Sequence, residues 1–378
     1  MGDTRRNARA GRMPAGLLGM FVLVCAAESF VGLHELDALD ADDWQYQSSR
    51  RFAARLAKGR DVLCFGDSIM RNGVFPKVVE SRSGLRAYNL AICGSQSPAS
   101  FHVLRQVLAA GARPSAVFVE YNPTLLAQPP QLSTYRLPYL LTFLDAIQLG
   151  WKTRDAGFLG SLLVRASFPS VRGRTNLRSW MVEALAGRGS KYRDQMPVVF
   201  RHWAENGGAQ VMPGKPEMPW NEDDHARYLY PPGWRPNRVN HDYVRRFFAL
   251  AQAHGATVYW LIPPTVPGLQ VRKERAGFDG KFLAFAKTLQ REFPNLIVLD
   301  GRHAEYDPKA FFDPDHLGRE AAFALSEDLG DVLRHLRRGA PADRWVILPR
   351  YRPRGRLDGT EDVFNQISRA KKRGQEPF

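Results

Sequence analysis

Asp61-Val-Leu-Cys-Phe-Gly-Asp-Ser-Ile69 decides the fold. Val62 to Phe65 is a continuous apolar run, too short for a helix and ended by Gly66, which is the pattern of a strand buried on both faces. Residues 68 to 81 then read as a helix. A buried strand that passes through a tight turn into a helix is the repeating unit of a parallel α/β sheet.

The unit recurs outward from this stretch. Ala87 to Ala91 reads as a second strand, 98 to 110 as a helix stopping near Gly111, and Ala116-Val-Phe-Val-Glu120 as a third strand. Later, Val244, Phe247, Phe248 and Ala251 recur at helical spacing before the strand Thr257 to Ile262. Phe282, Phe285, Ala286, Leu289 and Phe293 form another helical face before a fifth strand, Leu296 to Leu299. Ala322, Leu325, Leu329, Val332 and Leu336 mark a final amphipathic helix.

Between these halves, residues 123 to 242 lose the rhythm in proline, glycine, aromatics and mixed charge, and read as an insertion. It holds Trp151, Trp180, Trp203, Trp220 and Trp234, five of the eight tryptophans. They are expected to build a small core, with stacking on sugar rings as the alternative. After Gly339 the chain turns arginine- and proline-rich and ends near Lys371-Lys-Arg373, so 339–378 is expected to be a loosely ordered basic tail.

At the other end, Arg5, Arg6, Arg9 and Arg12 precede an apolar run from Ala15 to Ala27, the layout of an export signal. Continued through Phe30, Val31 and Leu33, the run approaches the ~20 residues that span a bilayer. Residues 1–35 are therefore expected to be an export signal or a retained anchor, with the body outside the cytoplasmic membrane. Cleavage after Ala27 is the competing reading.

Composition narrows the classes. Hydrophobic residues make up 44% and charged residues 24% of the 378, ordinary globular usage. The net charge of +15 comes from scattered arginine without a helix-turn-helix, zinc-finger or RNA-binding signature, so no nucleic-acid partner is expected. Cys25, Cys64 and Cys93 have no metal-site spacing, and Cys64 and Cys93 are expected as free thiols, with a bridge between them in an oxidising compartment as the alternative. Glu222-Asp-Asp-His225 has hard ligands but no second cluster, no Walker loop or dinucleotide fingerprint occurs, and no metal or cofactor is expected.

The chemistry-bearing residues sit where a parallel sheet opens its crevice, at the carboxyl ends of strands. Ser68 follows the first strand, on a turn that exposes its hydroxyl beside helix N-terminal amides. A serine needs a base held in one tautomer by a carboxylate. Phe311-Phe-Asp313-Pro-Asp315-His316-Leu-Gly318 supplies His316, with Asp313 as its orienting acid and Asp315 as the alternative. Gly94 past the second strand and Asn122 past the third are candidate oxyanion donors. Simple helix capping by Asp67 or Ser68, an ordinary turn glycine and a loop asparagine are the competing explanations.

Ser68, Gly94, Asn122 and the pair Asp313/His316, in that order and each at a strand end, resemble the SGNH (GDSL-like) hydrolase family over residues 61 to 122 and 243 to 337. The resemblance implies a three-layer flavodoxin-like parallel sheet in a domain of residues 36–338. It also implies a nucleophile at Ser68, with oxyanion donors at Ser68, Gly94 and Asn122, and a base at His316 oriented by Asp313. The third motif departs from the family's Gly-x-Asn-Asp, reading Glu120-Tyr-Asn-Pro123. The insertion, the N-terminal segment and the stretch Asn89-Leu-Ala91…Gly94-Ser-Gln96 resemble membrane-anchored bacterial branches, including those associated with O-acylation of envelope polysaccharides. The implied activity is an exported serine esterase or O-acyltransferase acting on an acylated carbohydrate or small ester, alongside envelope acyl-transfer machinery. The alternative is a non-catalytic protein of the same fold that binds an acidic polysaccharide.

Overall fold

The five apolar runs form strands as their periodicity predicts, and a sixth joins them. In the computed structural model, which describes residues 15–187, 201, 203–212, 233–337 and 343–353, these are β1 (Val62–Phe65), β2 (Ala87–Asn89), β3 (Ala116–Glu120), β4 (Thr257–Ile262), β5 (Leu296–Asp300) and β6 (Trp345–Ile347). They make one all-parallel sheet in the order β2-β1-β3-β4-β5-β6. Nearly every strand residue before β6 is buried, so the sheet is the middle layer of an α/β sandwich.

The strand order reverses between β1 and β3. At such a switch point the two following connections leave in opposite directions and open a crevice at the carboxyl ends. In register, Phe65 pairs with Val119 and Cys64 with Asn89. Residues 66–68, 90–94 and 120–122 therefore emerge side by side on one rim.

The connecting helices are α3 (Ser68–Gly73), α4 (Pro76–Ser83), α5 (Ser97–Ala109), α12 (Arg238–Ala253), α13 (Pro267–Arg275), α14 (Phe278–Glu292) and α15 (Arg319–Arg337). The single helix expected over 68–81 is divided, because Pro76 lacks the N–H to continue a helix and instead begins α4. Asn89 braces the break, its Nδ2 donating to Met70 O and Val74 O at 3.0 Å each. Ahead of the sheet run α1 (Ala15–Ala38) and α2 (Ala41–Ala57), the latter packed on α5.

Within the insertion lie α6 (Pro123–Ala127), α7 (Leu137–Leu140), α8 (Phe143–Thr153), α9 (Ala156–Ser167), α10 (Pro169–Arg172) and α11 (Arg174–Leu185). Rhythm returns a little before the expected residue 242, at Arg238. Trp203 and Trp234 are core residues, Trp234 donating from Nε1 to Pro123 O at 2.8 Å. Trp151 and Trp180 are exposed instead, contrary to the expected core role. Trp220, the Glu222–His225 cluster and Lys371–Arg373 lie outside the described residues.

Part of the expected loose tail is structured: Trp345–Ile347 adds to the sheet beside β5, with Val298 N donating to Arg344 O at 2.8 Å. A three-residue apolar run amid arginine and proline carries too little periodicity to be read as a strand. At the N-terminus, Ala15–His34 within α1 is 20 residues long, has a mean hydropathy of 2.0 and is long and apolar enough to cross a membrane, as a signal sequence also is.

Candidate active site

The turn after β1 is shaped by what crosses beneath it. Gly66 has φ +146°, and a Cβ there would lie 2.9 Å from Glu120 O and 3.1 Å from Glu120 Oε2. Only glycine fits. Asp67 then caps α3, its Oδ1 accepting from Ile69 N at 2.8 Å. Capping thus falls to Asp67 and leaves the Ser68 hydroxyl free for another partner.

That partner is His316. Its Nε2 lies 2.8 Å from Ser68 Oγ across 248 residues of sequence. Its Nδ1 lies 2.9 and 2.8 Å from the two oxygens of Asp313. A carboxylate can only accept, so Nδ1 carries the proton and Nε2 is left to accept from Ser68 Oγ–H. Asp313 Oδ1 also accepts from Asp315 N and His316 N, each at 2.9 Å, which holds the carboxylate in place. Of the two acids in the loop, Asp313 faces the imidazole.

The loop itself is clamped at its base. Phe311 and Leu317 form an antiparallel bridge, Phe312 N donates to His316 O at 2.8 Å, and Gly318 N donates to Ala310 O at 2.7 Å. Burial alone would lower the His316 pKa, but the Asp313 hydrogen bond and charge outweigh it, so the imidazole is held above its ordinary value. Burial likewise pushes Asp313 up, and the His316 hydrogen bond and charge outweigh it, leaving Asp313 below its ordinary value.

Gly94 and Asn122 stand on the strand ends flanking Ser68. Gly94 is exposed, at φ +65°, and its carbonyl accepts from Tyr46 Oη at 3.5 Å. Asn122 Oδ1 accepts from Thr124 N at 2.9 Å as the cap of α6, which turns its Nδ2 hydrogens to other acceptors. The loop of Gly94 is held from outside the sheet as well. Cys93 N donates to Gln45 Oε1 of α2 at 3.0 Å, and Arg136 of the insertion approaches Gly94 while pairing with Asp42 at 2.7 Å. Cys64 and Cys93 are both free thiols, raised by burial to about 12 and about 11.

No known protein family matches this chain by profile, and no curated protein matches it.

One pairing escaped the sequence reading. Asp67 and Glu120 are 3% and 1% exposed and lie against one another, Asp67 N donating to Glu120 Oε2 at 3.4 Å. Burial, then the neighbouring Asp67 charge and hydrogen bond, drives Glu120 well above the usual carboxylate range. Burial raises Asp67 too. Two sealed carboxyls in contact do not both ionise, so the pair is set to hold one proton, with Glu120 the more strongly raised. The available signal was a glutamate ending a wholly buried strand, where an acid needs a partner.

A cavity of about 670 Å³ lies elsewhere, lined by Trp151, Lys152, Arg154, Asp155 and Arg238 among others.

Proposed function

We propose that this chain is a serine-dependent esterase or O-acyltransferase of the SGNH type, held by α1 on the outer face of a bacterial cytoplasmic membrane. The observation that carries the reading is the relay Ser68 Oγ, His316 Nε2, His316 Nδ1, Asp313, with every contact at 2.8 to 2.9 Å. Three groups from two ends of the chain meet in the tautomer that a serine nucleophile requires.

In this mechanism Ser68 Oγ attacks an ester carbonyl as its proton passes to His316 Nε2. The imidazolium formed is stabilised by Asp313, which stays ionised. The tetrahedral oxyanion takes hydrogen bonds from the Ser68 and Gly94 amides and from Asn122 Nδ2, each worth about 10²–10³ in rate. His316 then gives the proton to the leaving alkoxide, and an acyl group remains on Ser68. Water delivers the acid product; a sugar hydroxyl delivers a new ester. In both cases His316 removes the incoming proton, and no metal or organic cofactor enters these steps.

A fluorophosphonate probe tests the reading. Wild type is expected to be labelled and Ser68→Ala not. Absence of labelling from both, with the fold intact by circular dichroism, removes the catalytic proposal. The second reading, a non-catalytic protein that holds an acidic polysaccharide, is favoured by the cavity in which exposed Trp151 stands beside Lys152, Arg154 and Arg238. Saturable binding of an acidic oligosaccharide without labelling would support it.

A further inference from the structure

Glu28 lies inside the apolar segment Ala15–His34, where an unpaired carboxylate would be costly. It is not unpaired. Ser170, at the start of α10 in the insertion, donates to it from its backbone N at 2.9 Å and from its hydroxyl. Four residues on, a Cβ at Gly32 would lie 3.3 Å from Pro169, and Gly32 O accepts from Arg51 of α2 at 2.8 Å. Glu28, Val31 and Gly32 share one helical face and are its half-buried positions, while Phe30, Leu33 and His34 are exposed.

The depth of this contact follows from length. Ala15–Ala27 alone would reach only about 20 Å at 1.5 Å per residue, against the ~30 Å of a hydrocarbon core. Glu28 to His34 must therefore contribute to the span. Glu28 then sits roughly 9 Å below its outer end. Whatever grips Glu28 lies at that depth too. The grip is Ser170, so the corner between α9 and α10 cannot stand clear of the bilayer.

The surface around that corner suits lipid. Phe168 is 40% exposed, and α11, which follows α10 and also contacts α1, exposes Trp180 (43%), Met181 (50%), Val182 (53%) and Leu185 (87%). Arg174 and Arg178, also exposed, lie on the same helix. Apolar side chains beside arginines are the composition of a helix lying in the headgroup region, with guanidinium groups at lipid phosphates.

We propose that the α9–α11 part of the insertion is a second membrane-contacting element, embedded in the outer leaflet beside α1 and covered by phospholipid. The proposal rests on α1 spanning the bilayer and not on the chemistry of Ser68. It makes the insertion a foot that sets the height of the domain. The first turns of α2, which follow α1 after Leu39 and Asp40, carry Asp42, Gln45 and Tyr46 to the Gly94 loop. The catalytic rim is thereby tied to the membrane exit through a chain path of at most about 25 Å.

The test uses the full-length protein in bilayer nanodiscs containing a phospholipid with a diazirine-bearing acyl chain. After irradiation and trypsin, lipid adducts are mapped by mass spectrometry. Adducts are expected in the α1 peptide 13–50 and also in peptides 166–172 and 179–188. Adducts confined to 13–50 overturn the foot while leaving the anchor intact. Absence of adducts from 13–50 overturns the anchor and the foot together. Loss of fluorophosphonate labelling in the same sample bears on the catalytic reading alone, so the failures are distinguishable.

Discussion

Two carboxyl settings flank Ser68, and their pKa values are moved in opposite directions. On one side Asp313, partly open to solvent, accepts from His316 Nδ1 and two backbone amides and is held ionised. On the other, Asp67 and Glu120 are nearly sealed and both are raised by burial, Glu120 well above the usual carboxylate range. The residue types are alike; donors and water differ. On the proposed mechanism the ionised carboxyl stabilises the imidazolium, and the sealed pair holds the turn that carries Ser68.

The largest effect is expected from neutralising the charged side. Asp313→Asn keeps the shape but offers Nδ1 a donor, favouring the wrong tautomer, and ester turnover should fall by roughly 10³–10⁴-fold. A loss under tenfold would mean that Asp313 does not orient His316. The sealed pair should respond differently. Glu120→Gln preserves a donor to Asp67 and should leave stability nearly unchanged, whereas Glu120→Ala leaves Asp67 buried without it and should cost about 1–3 kcal/mol in chemical denaturation. Equal losses from Gln and Ala would break the assignment of the shared proton to Glu120.

Smaller effects come from pH. The base must be neutral, so activity should rise with pH through a midpoint above the ordinary histidine value of about 6.5. In Asp313→Asn that midpoint should move down, because the partner that raises it is gone. For stability the signs of the two settings oppose. Asp313 is depressed when folded, so its contribution is present above the usual aspartate range and lost as pH falls through the folded value. Glu120 is raised when folded, so its contribution is present at low pH and fades as pH climbs from the usual glutamate range through the folded value. Glu120→Gln should flatten the alkaline decline in a melting-temperature series, and an unchanged slope would assign the decline to another group.

Much of this was legible in the sequence. Continuous apolar runs fixed β1 to β5, and the positions of Ser68, Gly94, Asn122 and His316 at strand ends followed from them. His316 and Asp313 could be paired because they stand three positions apart in one loop. The Asp67–Glu120 pair was not legible, since it joins neighbouring strands and depends on burial rather than spacing. Arg136 beside Gly94 was hidden for a similar reason: an arginine in an irregular insertion gives no signal of where its chain will pass. The division at Pro76 was written in the sequence, because proline punctuates helices, yet the apolar pattern on both sides masked it. Trp345–Ile347 was too short to have a period.

The return of the insertion carries one more consequence. Asn89 N donates to Gly207 O at 2.8 Å, and Gly208, at φ +92°, passes so close that a Cβ would meet Asn89 O at 2.1 Å. The outermost strand on that side is thus occupied by the chain's own backbone and offers fewer open amides for a stray strand to pair with. Trimming the protein to the sheet and its connecting helices would bare that edge, and the shortened chain should clump as it refolds, for a reason unrelated to Ser68.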